Sequence, residues 1–299
     1  MDISYTGSMS ERETWIVAVS GGIDSAVLLD MLVESQAADL VVAHVDHGIR
    51  NDSAQDAELV QRMAEKYELP YEVTQLHLGA SASEHLARDE RYAWLDSLRQ
   101  KYHATAVATA HHQDDLIETM ILNMQRGTGW RGLCSLRETA TRKRPMLILS
   151  KASIVSYAIE RGLEWREDST NDDLRYRRNY IRHGIMPRLD TYTRREFIKL
   201  YNAQLALRTD IENEITELRA TVKESDGLSR YWLIMLPESV AVEILRTTCE
   251  GVLVDQQLRR LLLFAKTARV NAIHEPGGGI TARVTLTRLI VSRASDLVS

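Results

Sequence analysis

Trp15-Ile-Val-Ala-Val-Ser-Gly-Gly-Ile-Asp-Ser25 decides how this 299-residue chain folds. Trp15 to Val19, five apolar and mostly β-branched residues, predict a buried strand. Ser20-Gly21-Gly22 breaks that pattern. Asp24-Ser25 then opens a segment with Val27, Leu28, Met31 and Leu32 on one helical face. A strand, a glycine turn and a helix N-terminus together make an anion site. Two residues without Cβ let backbone N–H groups approach an oxyanion, and the unsatisfied N–H groups and dipole of the helix favour negative charge. Helix capping alone would explain a Ser and an Asp here. It does not explain the whole word SGGIDS directly behind a buried strand, and the Gly-Lys-Ser/Thr ending of a Walker loop is missing.

Outward from this unit, strands alternate with helices. Leu40–Val45 predicts a second strand, ending at the polar run Asp46-His47-Gly48-Ile49-Arg50. A helix over Ser53–Tyr67, a strand over Tyr71–Leu76 and a long helix over Ser83–His103 follow. Ala104–Thr109 predicts a fourth strand and Met146–Leu149 a fifth, shorter one, with a helix from Lys151 to Arg161 behind it. The expectation is an α/β doubly wound parallel sheet with right-handed crossovers, its ligand crevice at the carboxyl ends of the strands. From about Thr191 the strand signals stop. Glu196–Val222 reads as a long helix and Val240–Ala268 as at least one helix pair. Pro276-Gly-Gly-Gly279 then precedes a period-2 strand at Ile280–Leu286. The boundary expected near Leu189–Thr193 gives a catalytic domain over 1–190 and a smaller, mainly helical domain over 191–299.

The composition, 44% hydrophobic and 26% charged, is that of a globular chain. No apolar run is long enough to span a bilayer, no signal peptide is visible, and two distant cysteines form neither a Cys-x-x-Cys pair nor a disulfide framework. A cytoplasmic protein is expected, with no membrane partner; a homodimer is compatible with this sequence, which fixes no oligomeric state. The net charge of −5 is unevenly spread. Residues 1–125 carry 8 basic against 21 acidic side chains, whereas residues 126–199 carry 17 against 9. A basic middle third in an acidic chain points to a polyanionic partner on one face.

His111–Gln125 holds the most informative side chains after the loop. At 100° per residue, Leu116, Ile117, Met120, Ile121 and Met124 share one face, and His111, Asp115 and Glu118 fall together on the opposite side. Such a group at a helix start, just past a strand's carboxyl end, suits a cation, an ammonium group or a metal. Zinc does not fit, because no thiolate is near and the histidine spacing is wrong. Beyond it lie the glycine-rich basic segment Arg126–Leu133, with Arg131, and the polar loop Glu167–Asp173. Arg175, Arg177, Arg178, Asn179, Arg182 and His183 follow, interleaved with Tyr176 and Tyr180, a pattern suited to an RNA backbone and an unstacked base.

SGGIDS resembles the PP-loop of the ATP pyrophosphatases. Together with VDHGIR, AHHQDDLIET, RGTGWRGL and EDSTNDD…RRNYIRHGIMPRL, it resembles the tRNA(Ile)-lysidine synthetase family over about residues 15–190. That resemblance implies ATP and Mg²⁺ as cofactors. It implies an isoleucine tRNA with a CAU anticodon and free L-lysine as substrates, joined at C2 of the wobble cytidine through an adenylated intermediate. It implies ATP binding by Ser20, Gly21, Gly22, Ile23, Asp24 and Ser25, with Asp24, His111, Asp115 and Glu118 at the catalytic centre. Asp115, Glu118 and Arg182 would meet lysine, and Arg126, Arg131, Arg177 and Arg178 the tRNA; no metal ligands are assigned. Longer family members carry a further C-terminal domain. A sulfur-inserting PP-loop enzyme, an amidotransferase-type synthetase and a non-catalytic RNA- or nucleotide-binding module are the rival readings.

Overall fold

The computed structural model describes residues 12–46, 53–76, 84–166, 177–224 and 226–293. The chain separates into two units, 1–204 and 205–299. The first opens with β1 (Thr14–Ala18), α1 (Ile23–Ser35), β2 (Asp39–Asp46), α2 (Ser53–Lys66) and β3 (Tyr71–Gln75). It continues with α3 (Glu84–Lys101), β4 (Ala106–Ala108), α4 (Gln113–Gln125), α5 (Gly129–Leu133), β5 (Arg142–Lys143), α6 (Lys151–Glu160) and α7 (Arg177–Tyr180). A π-helical turn at Ile181–Ile185 and a 3₁₀ turn at Met186–Arg188 lead into α8 (Thr191–Val222).

The five strands are parallel in the order β3-β2-β1-β4-β5, with Val17 opposite Val42 and Ile16 opposite Val107. A central parallel strand is buried on both faces, which is why β1 reads as an unbroken apolar run. Trp15, Val17 and Val19 join a core with α1 and α6, while Ile16 faces Leu95 and Leu98 of α3. Full burial of side chains such as Ile16 and Val17 contributes about 1.5–3 kcal/mol each. Strand order reverses between β1 and β4. The crevice for a ligand therefore lies past Ala18 and Ala108, where SGGIDS and the His111–Asp115 cluster begin.

The fifth strand is not at Met146–Leu149. Pro145 removes a donor and fixes φ, and the run turns through bonds from Leu147 N–H to Arg144 O and Leu149 N–H to Met146 O. Met146 and Leu147 are buried while Ile148 is 69% exposed, so this segment plugs the core instead of pairing. The strand is the short basic edge pair Arg142–Lys143, beside Val107 and Ala108.

In the second unit, β6 (Lys223–Glu224), β7 (Gly227–Ser229), α9 (Arg230–Met235), α10 (Glu238–Thr248) and α11 (Asp255–Thr267) precede β8 (Ile273–Gly277), β9 (Ile280–Val284) and β10 (Arg288–Arg293). The strands form an antiparallel sheet in the order β6-β7-β10-β9-β8, larger than the terminal strand expected from sequence. Ile280, Ala282 and Val284 alternate inward against Leu258, Leu261 and Leu262 of α11. Gly278 sits at φ +60° in the β8–β9 turn, and a Cβ there would stand 2.4 Å from Val252 Cγ1. The expected boundary at Leu189–Thr193 falls at the start of α8, and the division between units falls within that helix.

Candidate active site

The loop after β1 is held by its own hydroxyls. Ser25 Oγ donates to Gly22 O at 2.8 Å and accepts from Ser20 N–H at 3.1 Å, and Gly22 N–H donates to Ser20 Oγ at 3.4 Å. Gly21 adopts φ +88°, which glycine reaches without strain. Gly22 caps α1 with no side-chain cap bond. The first N–H groups of a helix have no intrahelical partner, so those of α1 are left for an anion at the mouth of the loop. Two bonds brace the loop from outside it: Arg166 N–H donates to Gly21 O at 3.0 Å, and buried His44 holds Val19 O through Nδ1 at 2.8 Å. An open groove lined by Gln55, Leu59, Trp165 and Arg166 runs beside this loop, not over the charged side chains of α4.

Asp24, on the first turn of α1, connects the loop to two other elements. Lys151, which opens α6, donates from Nζ to Asp24 Oδ1 at 2.6 Å. His112 caps α4: Asp114 N–H donates to its Nδ1 at 3.2 Å, while His112 N–H donates to Asp115 Oδ2 at 3.0 Å. An accepting Nδ1 puts the proton of the neutral ring on Nε2. That nitrogen lies between two carboxylates, 3.7 Å from Asp24 Oδ2 and 3.5 Å from Asp115 Oδ2.

Asp115 and Glu118 of α4 meet Arg178 and Arg182, one helical turn apart on α7 and the π-helical turn. Arg178 donates from Nε to Glu118 Oε2 and from Nη2 to Asp115 Oδ1, both at 3.0 Å. Arg182 donates to Glu118 Oε1 at 2.8 Å, to Glu118 Oε2 at 3.0 Å and to Asp115 Oδ1 at 3.3 Å. Glu118 is 1% exposed, so the polar side of α4 is covered by these arginines and does not face solvent. Two carboxylates and two guanidiniums balance in charge, which is the condition for burying them. Burial works to raise the Asp115 pKa, but His112, His111 and Arg178 outweigh it and hold the carboxyl below its ordinary value. Burial also lowers His111 to about 3, with Arg144, Arg178 and Arg88 adding to the effect and Asp115 opposing it. Its Nδ1 lies 2.8 Å from Thr109 Oγ1, at the end of β4.

The sequence-expected residues thus divide. Ser20 to Ser25 form one loop, and Asp115, Glu118 and Arg182 one cluster. Arg178, expected on the tRNA side, is the fourth member of that cluster. Arg126 and Arg177 are exposed and outside it, and Arg131 stacks on Trp130 with Cζ 4.5 Å from the ring centre. Residues 47–50 of VDHGIR, and 167–176 with Arg175, lie outside the described residues. Sequence reasoning missed Lys151, His112 as the bridge to Asp24, and Arg194, which donates to Asp114 at 2.6 Å. The strand-end position of His112 and the start of the helix at Lys151 were the available signals.

A parallel sheet with an anion loop at its switch point, facing a titratable cluster from the next strand, defines a nucleotide-binding α/β protein. The profile of the PP-loop domain family matches residues 3–189, and the chain belongs to that ATP-using family. The tRNA(Ile)-lysidine synthase of Thermotoga sp. (strain RQ2) is 37% identical over 189 residues, covering 60% of this chain and 46% of that protein. The protein of the same name from Porphyromonas gingivalis is 38% identical over 183 residues, 58% of this chain and 40% of that one. The chain therefore spans less than half the length of either relative. The solved U34-tRNA thiolase NcsA from Methanococcus maripaludis, with its iron–sulfur cluster, shares the fold. Its TM-score is 0.56 at 14% identity, over 67% of this chain and 73% of that one. Among the described residues no helix is long and apolar enough to cross a membrane.

Proposed function

We propose that this chain joins free L-lysine to C2 of the wobble cytidine in an isoleucine tRNA with a CAU anticodon, consuming ATP. The observation that carries the proposal is the bridge from Asp24 through His112 to Asp115, which couples a phosphate loop to a cluster suited to an amino acid. In the first step the cytidine O2 attacks the α-phosphorus of ATP and the α–β bond breaks, releasing pyrophosphate. The loop N–H groups and Lys151 are suited to the expelled charge. Mg²⁺ brought in with the nucleotide would screen phosphate charge. Among the described residues no group of three metal-ligating side chains exists, but Mg²⁺ on phosphates needs only one or two carboxylates, and Asp24 at the loop fits.

In the second step the neutral ε-amine of lysine attacks C2, loses a proton, and AMP departs with the former O2. An amino acid carries an α-ammonium and an α-carboxylate. Asp115 suits the first, and the outer donors of Arg178 and Arg182 suit the second, with Glu118 bracing both arginines from beneath. His111 carries no proton near neutral pH, so its role is that of a neutral hydrogen-bonding ring and not of a stored acid.

Sulfur insertion is disfavoured by the cysteines. Cys134 and Cys249 are both buried, and burial pushes the Cys249 thiol up to about 11. Pyrophosphate release that requires the CAU-anticodon tRNA, and product formation that requires lysine, test the proposal. Release without RNA would overturn it in favour of a small-molecule synthetase.

A further inference from the structure

One strongly charged feature of the first unit has no part in the chemistry above. Tyr92 of α3 is surrounded by guanidiniums: the Cζ atoms of Arg88, Arg91 and Arg142 lie 5.0, 5.4 and 5.1 Å from its ring centre. Arg142 is neutralised by a two-pronged pair with Asp96, at 2.8 and 2.5 Å. Arg88 and Arg91 have no carboxylate partner among the described residues, and neither has Arg144, two residues beyond Arg142. Arg144 donates from Nη1 to the Arg137 carbonyl, while its buried Nε has no hydrogen-bond partner. Burial, and then the neighbouring Arg88 charge, hold Arg91 and Arg144 below the ordinary arginine value. The group reaches the active site: Thr109 N–H donates to the carbonyl of Lys143, the residue before Arg144, at 3.0 Å, and Thr109 Oγ1 lies 2.8 Å from His111 Nδ1. Arg144 and Arg88 accordingly bear electrostatically on His111. Like charges collected without acids are costly unless an anion neutralises them. Among the described residues, Asp96 pairs with Arg142 and Glu138 accepts only the backbone N–H of Arg144, which leaves the guanidiniums of Arg88, Arg91 and Arg144 without a carboxylate.

We propose that Arg88 and Arg91, set around Tyr92, together with Arg144 on the segment after β5, form the seat for a backbone phosphate of the RNA substrate beside the base that reacts. The proposal rests on the RNA reading above and adds a site to it. Guanidinium forks match phosphate oxygens, and three of them exceed what one amino-acid carboxylate requires. That carboxylate already has Arg178 and Arg182. The seat is drawn from α3 and the segment after β5, stretches separate in sequence from the basic run that carries the sequence signal.

The test is binding of an unmodified anticodon stem-loop RNA, across a salt series, without ATP or lysine. Arg88 is exposed, so Arg88→Gln carries little folding risk; Arg88→Gln/Arg91→Gln removes two charges. The double variant should weaken RNA binding by about tenfold or more, and its salt slope should fall by roughly 0.7–0.9 for each phosphate it no longer neutralises. The KM for lysine should stay unchanged. Wild-type affinity and slope in a double variant with a wild-type melting temperature would overturn the seat while leaving the proposed function intact. A raised KM for lysine with unchanged RNA binding would overturn it in favour of a carboxylate site. If the wild-type chain binds no RNA, both proposals fall.

Discussion

The loop at Ser20–Ser25 and the quartet of Asp115, Glu118, Arg178 and Arg182 solve the same problem, that of holding charge at a strand end, with different materials. The loop is six consecutive residues that bond one another, and its working groups are mostly backbone N–H. The quartet joins side chains 60 to 67 positions apart, and it exists only once α7 and the π-helical turn lie against α4. A local site loses function when a side chain changes but keeps its shape. A site assembled at a distance loses function and stability together, because each member is the solvent of the others.

The largest effect expected from this contrast is at the loop. Asp24→Asn should cut AMP formation on the order of a hundredfold or more, since it removes the carboxylate suited to Mg²⁺ at the leaving pyrophosphate. The core of β1 and α1 does not depend on this side chain, so the melting temperature should move by less than about 4 °C. Wild-type turnover, or loss of the fold, would break the contrast. Ser25→Ala is a harsher probe, because Ser25 Oγ bonds Ser20 N–H, Ser20 Oγ and Gly22 O together.

The quartet should respond in both ways. Glu118→Gln is expected to raise the KM for lysine by on the order of tenfold to a hundredfold, while tRNA adenylation measured without lysine survives. Removing one partner of a buried pair costs about 3–5 kcal/mol, and the retained acceptor of Gln should hold the loss to the low end. A variant with unchanged melting and defective adenylation would move Glu118 from amino-acid binding to the nucleotide.

This contrast also explains what the sequence reveals. The loop is legible because its function is local: strand, glycines and helix start are read in order, and so is the switch point they mark. The acidic half of the quartet is legible from helical spacing. Its basic half is not, because nothing in Arg177-Arg178-Asn179-Tyr180-Ile181-Arg182 distinguishes an arginine facing RNA from one facing a buried carboxylate. The intervening π-helical turn shifts the helical phase on which such spacing relies. Met146–Leu149 misleads for a related reason, since an apolar run reports burial and not strand pairing.

Arg177 and Arg178, neighbours in sequence, make the next comparison. Arg178→Ala should act on lysine, raising its KM by about tenfold through the loss of charge-assisted bonds to Asp115 and Glu118. Arg177→Ala should leave lysine kinetics alone. It should lower RNA affinity by a few-fold and the salt slope by roughly 0.7–0.9. If both variants shift only the salt slope, Arg178 serves RNA and not lysine.

The smallest effect is a pH dependence at the border between the two regions. Burial holds His111 neutral down to about pH 3, against an ordinary value of 6.5, with Arg144, Arg178 and Arg88 pressing the same way and Asp115 against them. The folded pKa is depressed, so the unfolded chain binds the proton more readily. The stability contributed by His111 is therefore full above about pH 6.5 and is lost as pH falls from there toward 3. Asp115, also depressed, loses its contribution in the same direction but only within the carboxylate range. Denaturant melts between pH 7.5 and 5 therefore sample His111 with little interference from Asp115. His111→Gln keeps a polar side chain that cannot be protonated, and it should flatten stability across that interval while the wild type declines. Parallel curves for the two proteins would mean that His111 takes up its proton in the folded state, and that the ring beside Thr109 can store an acid after all.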